Sequence, residues 1–554
     1  MPEDHGFKFQ LFSPEERPSC CSAAPSGPCS ACERLLAVEQ RIRHATTALE
    51  QALVDRQQLQ NHRNSVHDPF SRLPTEVSSQ IFSFCVPPSP TLDEFYEDYC
   101  WHQNPHVPYT QLTLGAVCQG WRRVAWSTAS LWNFLSVRIT HRTPSSFTIY
   151  VRQWLERSNR LPLTIRVAYI SDLVENIDPY TLNPLMIPLI GVLNESIDRW
   201  SSVFLHIPNS YISQLKSDPT SPPNIKCLSL WSLEDKTSPP PQLFREKQDA
   251  IFNIGYLPSP SHLKITAYHL DNLHIHWGNI TRFEGQYLTT EESFRVFHQS
   301  TKMTSCEMAI LPHHSFASAT PAAPIILRHL TVLCLLDTVT PILNQLSCPA
   351  LRAISWRIDN LQLSGPAVDF ITRSNCALEE IRFQGFQDHD EEDLIEFLTQ
   401  VPSLKILSFE RPLGRNLIDL IGETAYEQND SVLRFLPSLQ AFHYTGPRSF
   451  PWSSIPAMIP RPSSSSKDIT PRPLVRLEFR IDYSSYLEDI EDTTSEELVL
   501  RDKIRQIDIE NILEMLDSGI SVSIYDEDDT QVIDLWARHY GLYGNDDGDT
   551  ESDE

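Results

Sequence analysis

Glycine is scarce in this chain, at 17 of 554 residues. The tight turns that hold phosphate groups in nucleotide-binding proteins depend on glycine. The sequence contains no glycine-rich phosphate loop, no nucleophile-elbow serine and no H-E-x-x-H pair. We therefore expect a protein that is not an enzyme and needs no cofactor. A hydrolase is set aside because no residues can be named for its site.

Long apolar runs are also missing. The longest nearly unbroken run, residues 185–193, is interrupted by Pro188 and is shorter than the ~20 residues of a membrane-spanning helix. Residues 1–10 lack the apolar core of a signal peptide. The 12 cysteines are scattered and do not form a dense framework, which favours reduced thiols. These features predict a cytoplasmic and/or nuclear protein without membrane contact.

Positive charge is in deficit, with 45 basic against 71 acidic residues and a formal net charge of −26. This field repels phosphate backbones, and no basic stripe offsets it. We therefore expect no nucleic-acid partner. Part of the acidic excess lies in residues 541–554, which we predict to be a disordered acidic tail.

The N-terminal residues 1–31 are rich in Pro, Ser and Cys and are predicted to be disordered. Cys29 and Cys32 have the spacing of zinc ligands. The remaining pair, Cys20 and Cys21, is adjacent, and no histidine completes a known arrangement nearby. We therefore predict no metal site.

A helix is predicted over residues 32–66, because apolar residues recur there every seven positions. One position of the repeat holds Leu35, Ile42 and Leu49, and the other holds Val38, Ala45, Ala52 and Leu59. Arg56 and Arg63 interrupt this coiled-coil-like pattern. It fits packing against the following domain and weak dimerisation equally well.

The pattern apolar–x–x–apolar–x–apolar recurs from about residue 200, and its last three positions alternate as a half-buried strand would. Ten copies begin at Trp200, Ile225, Leu270, Met303, Leu330, Leu351, Leu378, Leu404, Leu439 and Leu474. Strands alternating with helical segments are typical of a solenoid. The pattern resembles leucine-rich repeats. The Asn or Cys expected three residues after the last apolar position is generally absent, with Asp359, Phe386 and Pro412 in its place. We therefore predict an irregular α/β solenoid over residues 140–540.

Two amphipathic helices are predicted within residues 67–139. Pro74 and Glu76 are typical of a helix start, and Val77, Ile81, Phe82 and Cys85 then lie on one helical face. A Pro-rich insertion at 86–111 separates this helix from a second one. The second helix carries Leu112, Leu114, Val117, Cys118, Trp121 and Val124.

In chain order, Leu73-Pro74-x-Glu76, Ile81-Phe82, Leu114-x-x-Val117-Cys118-x-x-Trp121 and Leu131-Trp132 resemble the F-box of fungal F-box proteins with irregular C-terminal repeats. The resemblance implies a small all-α domain that docks on the adaptor subunit of an SCF-type cullin ubiquitin ligase while the repeats bind a protein substrate. It assigns Leu73, Pro74, Ile81, Val117, Cys118 and Trp121 to the adaptor contact or to the core of the box. Packing within an isolated helical domain is the alternative for these residues.

Substrate would bind on the strands, where outward positions interleave the apolar ones. These positions hold Arg357, Glu380, Arg382, Glu410, His443, Arg476 and Arg480, of which Arg357, Arg382, His443 and Arg480 are the candidate contacts. Arginines on a rigid sheet can bind carboxylates or phosphates in bidentate fashion, although an ordinary solvated face has the same composition. A protein-interaction scaffold with a degenerate F-box remains the alternative function.

Overall fold

The computed structural model describes residues 30–67, 69–86, 110–140, 142–170, 183–216, 223–232, 252–311, 324–337, 340–357, 363–384, 391–410, 413, 415–424, 435–448, 450–459, 472–482, 504–525, 531–533 and 536. The chain divides into two compact units, Met1–Leu131 and Trp132–Glu554. The predicted disordered segments, apart from Ser30 and Ala31, and all but residues 86, 110 and 111 of the predicted insertion lie outside the described residues.

The described part of the first unit is helical. Its α-helices are α1 (Ser30–His67), α2 (Thr75–Cys85), α3 (Thr110–Val117) and α4 (Gln119–Ser127), and 3₁₀ turns occupy Pro69–Arg72 and Ala129–Leu131. Helix α1 begins two residues before the predicted helix and ends one residue after it. Ser30 and Ala31, predicted to be disordered, are therefore helical. Helix α2 begins directly after Pro74, which has the fixed φ that suits a helix start.

The second unit is a mixed α/β structure built on strands β1 (Phe134–Ile139), β2 (Leu163–Tyr169), β3 (Trp200–His206), β4 (Cys227–Trp231), β5 (His262–Thr266), β6 (Arg282–Leu288), β7 (Ser305–Ile310), β8 (Ile325–Ile326), β9 (Val332–Asp337), β10 (Leu346–Ser347), β11 (Ala353–Arg357), β12 (Glu380–Gln384), β13 (Ile406–Glu410), β14 (Ala441–Gly446), β15 (Arg476–Ile481) and β16 (Ser521–Tyr525). Strands β8 and β10 form a separate two-stranded sheet.

Helices lie between the strands along the chain. They are α5 (Phe147–Arg157), α6 (Asn183–Asn194), α7 (Asn209–Ile212), α8 (Thr290–Gln299), α9 (Thr340–Leu343), α10 (Val368–Ser374), α11 (Glu391–Thr399), α12 (Arg415–Glu423), α13 (Ser454–Ala457) and α14 (Gln506–Asp517). Three 3₁₀ turns, Ile197–Arg199, Leu270–Asn272 and Trp277–Asn279, and a π-helical turn, Leu363–Ala367, complete the described elements.

The other fourteen strands form one sheet whose spatial order follows the chain order, and every neighbouring pair is parallel. Side chains alternate between the two faces of a strand, and one face is buried throughout. In β11 that face carries Ile354 and Trp356. Trp356 packs against Phe397 of α11, with ring centroids 5.6 Å apart, so the buried face forms the core with the helices.

The first unit ends before residue 139, where the F-box-like domain was predicted to end. Residues 134–139 were assigned to the F-box-like domain, but the first unit ends at Leu131 and these residues form β1, paired in parallel with β2. Leu135, Val137 and Ile139 are buried, so the strand contributes its apolar face to the sheet core. The strand region therefore begins before residue 140.

The prediction of a strand at the third copy of the repeat, which begins at Leu270, is wrong. Leu270, Leu273 and Ile275 are buried, but they lie in and after a 3₁₀ turn and outside the fourteen-stranded sheet. The strand at that point of the sheet is β5, with Leu263 and Ile265 buried. The residues of this turn have the apolar spacing of the repeat because their side chains also pack on the core, although they do not form a strand of the sheet.

The last strand is followed by a short closing segment. Tyr525 pairs with Gln531 in an antiparallel bridge, and the Gln531 side-chain oxygen accepts a hydrogen bond from the Ile524 N–H at 2.9 Å. The apolar side chains described beyond the bridge, Val532, Ile533 and Trp536, are buried.

Candidate functional site

Helix α2 has two distinct apolar faces. Phe82 is 1% exposed and Ser78 is also buried, so these residues define the inner face. Val77 and Phe84 are exposed, and Phe84 has 82% of its surface open to solvent. Large phenyl groups normally bury most of their area in a folded domain. An exposed phenyl group on a short helix therefore marks a surface that can bind another molecule.

A further exposed apolar residue, Leu73, lies two residues before helix α2. Val77, Ile81 and Phe84 follow one another at intervals of four and three residues, which places them on one side of the helix. Leu73 and Val77 are exposed and Ile81 is half-buried. We call these four residues the apolar stripe. Pro74, which lies beside it, is also exposed.

An aromatic cluster fixes the position of α2. The ring of Trp121 in α4 lies 5.0 Å from the ring of Phe82 and 4.6 Å from that of Phe70. The Phe70 and Phe82 rings are 5.9 Å apart. Such tilted aromatic contacts are favourable beyond the area that they bury. Trp121 thus joins α4 to α2, while its own surface remains half-exposed.

The predicted second helix is wrong as a single element, because Cys118 is extended and separates α3 from α4. The turn between these two helices is held by the Cys118 thiol. Cys118 precedes α4 in an extended conformation, and its sulfur accepts a hydrogen bond from the Trp121 N–H at 3.4 Å. This contact occupies one of the free N–H groups at the start of the helix. The neighbouring Val117 is exposed. Cys118 is therefore a positioning residue, and Val117 belongs to the accessible surface.

The six predicted residues fall into two groups. Leu73, Pro74 and Val117 are exposed, whereas Ile81, Cys118 and Trp121 are half-buried. Ile81 belongs to the stripe, while Trp121 and Cys118 hold the helices in place. Phe84 was not predicted as a site residue, and Val77 was predicted to lie on the same face as the core residue Phe82. The helical spacing of residues 77, 81 and 84 indicates a second apolar face, although spacing does not show which face is buried.

The predicted substrate residues lie in two rows across the sheet. Strand register connects Arg382, Ser408, His443 and Glu478 in one row and Arg357, Gln384, Glu410, Thr445 and Arg480 in the row two residues further along. These side chains point away from the apolar core because they alternate with its residues. The structure therefore brings the four candidate contacts to one face of strands β11 to β15.

Glu478 is the centre of a charged cluster on this face. Its carboxylate lies 3.0 Å from the Arg476 guanidinium, 3.4 Å from Arg480 and 3.5 Å from the His443 ring. Arg382 and Glu410 are 3.9 Å apart, and both side chains are exposed to solvent. Exposed ion pairs contribute little stability, so their partners can be exchanged for an incoming charged group at little cost. The face can bind an anionic or a zwitterionic surface.

The titration of His443 reports on this cluster. Burial lowers the pKa of His443 below its ordinary value, Arg476 and Arg382 lower the pKa further, and Glu478 raises it. We expect Glu478→Gln to lower the pKa of His443 and Arg476→Gln to raise it. Histidine-labelled protein titrated by NMR measures both shifts, with His443→Gln identifying the signal. A pKa that both variants move in the same direction would contradict this arrangement.

Across the described ranges, no group of three or more His, Cys, Asp or Glu side chains is placed to hold a metal ion. Of the four cysteines weighed as zinc ligands, Cys20, Cys21 and Cys29 lie outside the described residues, and only the backbone of Cys32 is described, within α1. No helix in the described part of the chain combines the length and apolar character that crossing a bilayer requires.

No protein-family model matches this chain, and no curated protein matches it.

Proposed function

We propose that this protein is the substrate-recognition adaptor of an SCF-type cullin ubiquitin ligase. The first unit would dock on the ligase adaptor subunit, and the second unit would bind a protein substrate. The observation that carries the proposal is the apolar stripe. It is formed by the helix whose sequence resembles the F-box, and the stripe residues Leu73 and Ile81 belong to that motif.

The stripe has the properties of a docking surface. Protein interfaces concentrate their binding energy in a few apolar or aromatic anchors surrounded by less important contacts. Phe84 offers such an anchor, and Leu73, Val77 and Ile81 extend the apolar area along the helix. The aromatic cluster of Phe70, Phe82 and Trp121 holds the helix rigid, which reduces the entropy lost on binding.

We further propose that the second unit is an irregular solenoid similar to leucine-rich repeats. In its fourteen-stranded sheet the spatial order of the strands follows their order along the chain, and every neighbouring pair is parallel. Each such parallel pair needs a crossover connection. Repeats of this kind present a continuous strand face to a partner. The absence of the usual Asn after the strands supports the irregular form.

The substrate would contact the face that carries Arg357, Arg382, His443 and Arg480. The side chains of Arg382 and Arg480 are 50% and 43% exposed and lie beside acidic neighbours. Guanidinium groups bind carboxylates and phosphates through two hydrogen bonds at once. A protein segment that carries acidic side chains therefore suits this face. Such a partner is reached in the cytoplasm or the nucleus.

The stripe is tested by Phe84→Asp in the full-length chain. We expect affinity for the ligase adaptor subunit to fall by about 30-fold or more, because a charge would replace an interface anchor. Ile149→Asp in α5 is the matched control, since Ile149 is 60% exposed and lies in the second unit. Binding is measured by calorimetry, and circular dichroism checks that both variants remain folded.

Co-purification of the cullin with the wild-type chain distinguishes the two candidate functions. A ligase subunit retains both the adaptor and the cullin, whereas a scaffold with a degenerate F-box retains the adaptor alone or neither. Equal adaptor affinity of wild type and Phe84→Asp would show that the stripe is not the docking surface. Failure of the wild-type chain to bind the adaptor would refute the proposed function.

A further inference from the structure

Helix α1 exposes the apolar residues of its heptad repeat. Its large members, Leu35, Val38, Ile42, Leu49 and Leu59, are between 44% and 69% exposed. From Leu35 to Leu59 these heptad residues extend about 36 Å along α1 at 1.5 Å per residue. The sequence fits either packing of this helix against the following domain or weak dimerisation. Because these residues are exposed, they do not pack against the described part of that domain. A row of exposed apolar residues of this length indicates an interaction surface on α1.

We propose that α1 pairs with α1 of a second copy of this chain as an antiparallel coiled coil centred on Thr47. The two core positions of the heptad are called a and d. In this register the residues of one helix meet those of the second copy in the pairs Leu35–Leu59, Val38–Arg56, Ile42–Ala52 and Ala45–Leu49. Each pair occurs twice, since the two helices are related by a twofold axis.

Side-chain volume favours this register. Ala45 and Ala52 both occupy d positions, while Ile42 and Leu49 occupy a positions. A parallel dimer would place alanine against alanine in two layers and leave those layers thin. The antiparallel dimer sets each alanine against a large residue, so the layers have similar thickness. Close packing of a helical core requires such alternation of large and small side chains.

The core arginines favour the same orientation. Arg56 and Arg63 occupy a positions. A parallel dimer would bring each of them against its own copy in the core, where like charges repel. In the antiparallel register Arg56 meets Val38, along which its aliphatic stem can lie. Arg63 falls beyond the apolar overlap and stays in water.

The flanking charges are also complementary. Residues one position before a are called g, and in an antiparallel pair g faces g. In this register the g residues whose numbers add to 96 face each other. Arg41 of one copy therefore lies against Asp55 of the second copy, and the twofold axis repeats this contact. A parallel pair would set Arg41 against Thr46 and would gain only Arg34 with Glu39. Glu39 already pairs with Arg43 of its own helix at 3.9 Å.

The association is tested on the full-length chain by sedimentation equilibrium. We expect a concentration-dependent dimer in the wild type. Leu49→Asp should weaken it by about 100-fold, because the change removes two buried leucines from each dimer. Leu36→Asp is the matched control, since Leu36 is 47% exposed but lies outside the heptad core. A wild-type chain that is monomeric at every concentration, or equal weakening by the two variants, would overturn the proposal.

The orientation is tested by exchanging charges. Arg41→Asp and Asp55→Arg should each weaken the dimer several-fold, and the double variant should recover most of the loss. Coupling of this kind is expected only when residues 41 and 55 of different copies are in contact. Two losses that simply add in the double variant would rule out the antiparallel register. This result is independent of the ligase proposal, because it involves none of the stripe residues of α2.

Discussion

Replacing Trp356 with alanine is expected to lower the free energy of unfolding of the second unit by about 3–5 kcal/mol. The side chain is fully buried in β11 and contacts Phe383 and Phe397, with ring centroids 5.9 and 5.6 Å away. Its removal would leave a cavity between two strands and a helix. Hydrogen exchange of β11 and β12 should show this loss as faster opening.

Trp356→Phe is the informative control. The Trp356 indole N–H is buried, and no hydrogen-bond acceptor for it is found among the described residues. Phenylalanine keeps most of the aromatic contact and removes this unsatisfied donor, whose burial is unfavourable. We expect its stability to lie within about 1 kcal/mol of wild type. A loss as large as that of the alanine variant would mean that the N–H has a partner.

Replacing Glu292 with alanine is expected to cost about 3 kcal/mol. Glu292 is buried at the start of α8 and accepts hydrogen bonds from the N–H and hydroxyl of Thr289, both at 3.0 Å. Its other oxygen accepts from the Leu270 N–H at 3.4 Å and lies 3.2 Å from His269 Nδ1. Without the carboxylate, two backbone donors inside the protein lose their acceptor.

A graded series distinguishes this role from a general effect of charge. Glu292→Gln keeps one acceptor oxygen but turns an NH₂ group toward a second donor, so we expect an intermediate loss of about 1–2 kcal/mol. Glu291→Ala changes the exposed neighbour in the same helical turn and should cost no more than about 0.5 kcal/mol. Thermal and denaturant unfolding measure the series. Equal losses at positions 291 and 292 would refute the buried contact.

Leucine spacing predicted most of the sheet, and its failures have identifiable causes. Nine of the ten copies mark strands of the sheet. The overlooked strands β2 and β5 have Pro162 and Pro260 at the first apolar position of the pattern, β16 has Gly519 there, and β6 has Gly285 at the last. In each case hydrogen bonds to a neighbouring strand form the element although one side chain of the pattern is missing. A pattern based on side chains cannot detect such a contribution from the backbone.

The candidate site was predicted less completely than the fold. Helix α2 was expected to have one apolar face, because Val77, Ile81, Phe82 and Cys85 fit a broad helical stripe. Whether Phe82 or Phe84 is covered depends on where Trp121 lies, and Trp121 is distant in sequence. Helical periodicity alone could therefore not predict which apolar residues of α2 are buried around Phe82 and which are exposed.

The closing segment after β16 has a consequence for solubility. A final strand with free N–H and C=O groups is a template onto which the strands of other molecules can add. Here the Ile524 N–H donates to the side-chain oxygen of Gln531, and Gln531 pairs in antiparallel orientation with Tyr525. Among the described residues, these two contacts obstruct the addition of another strand at the C-terminal end of β16.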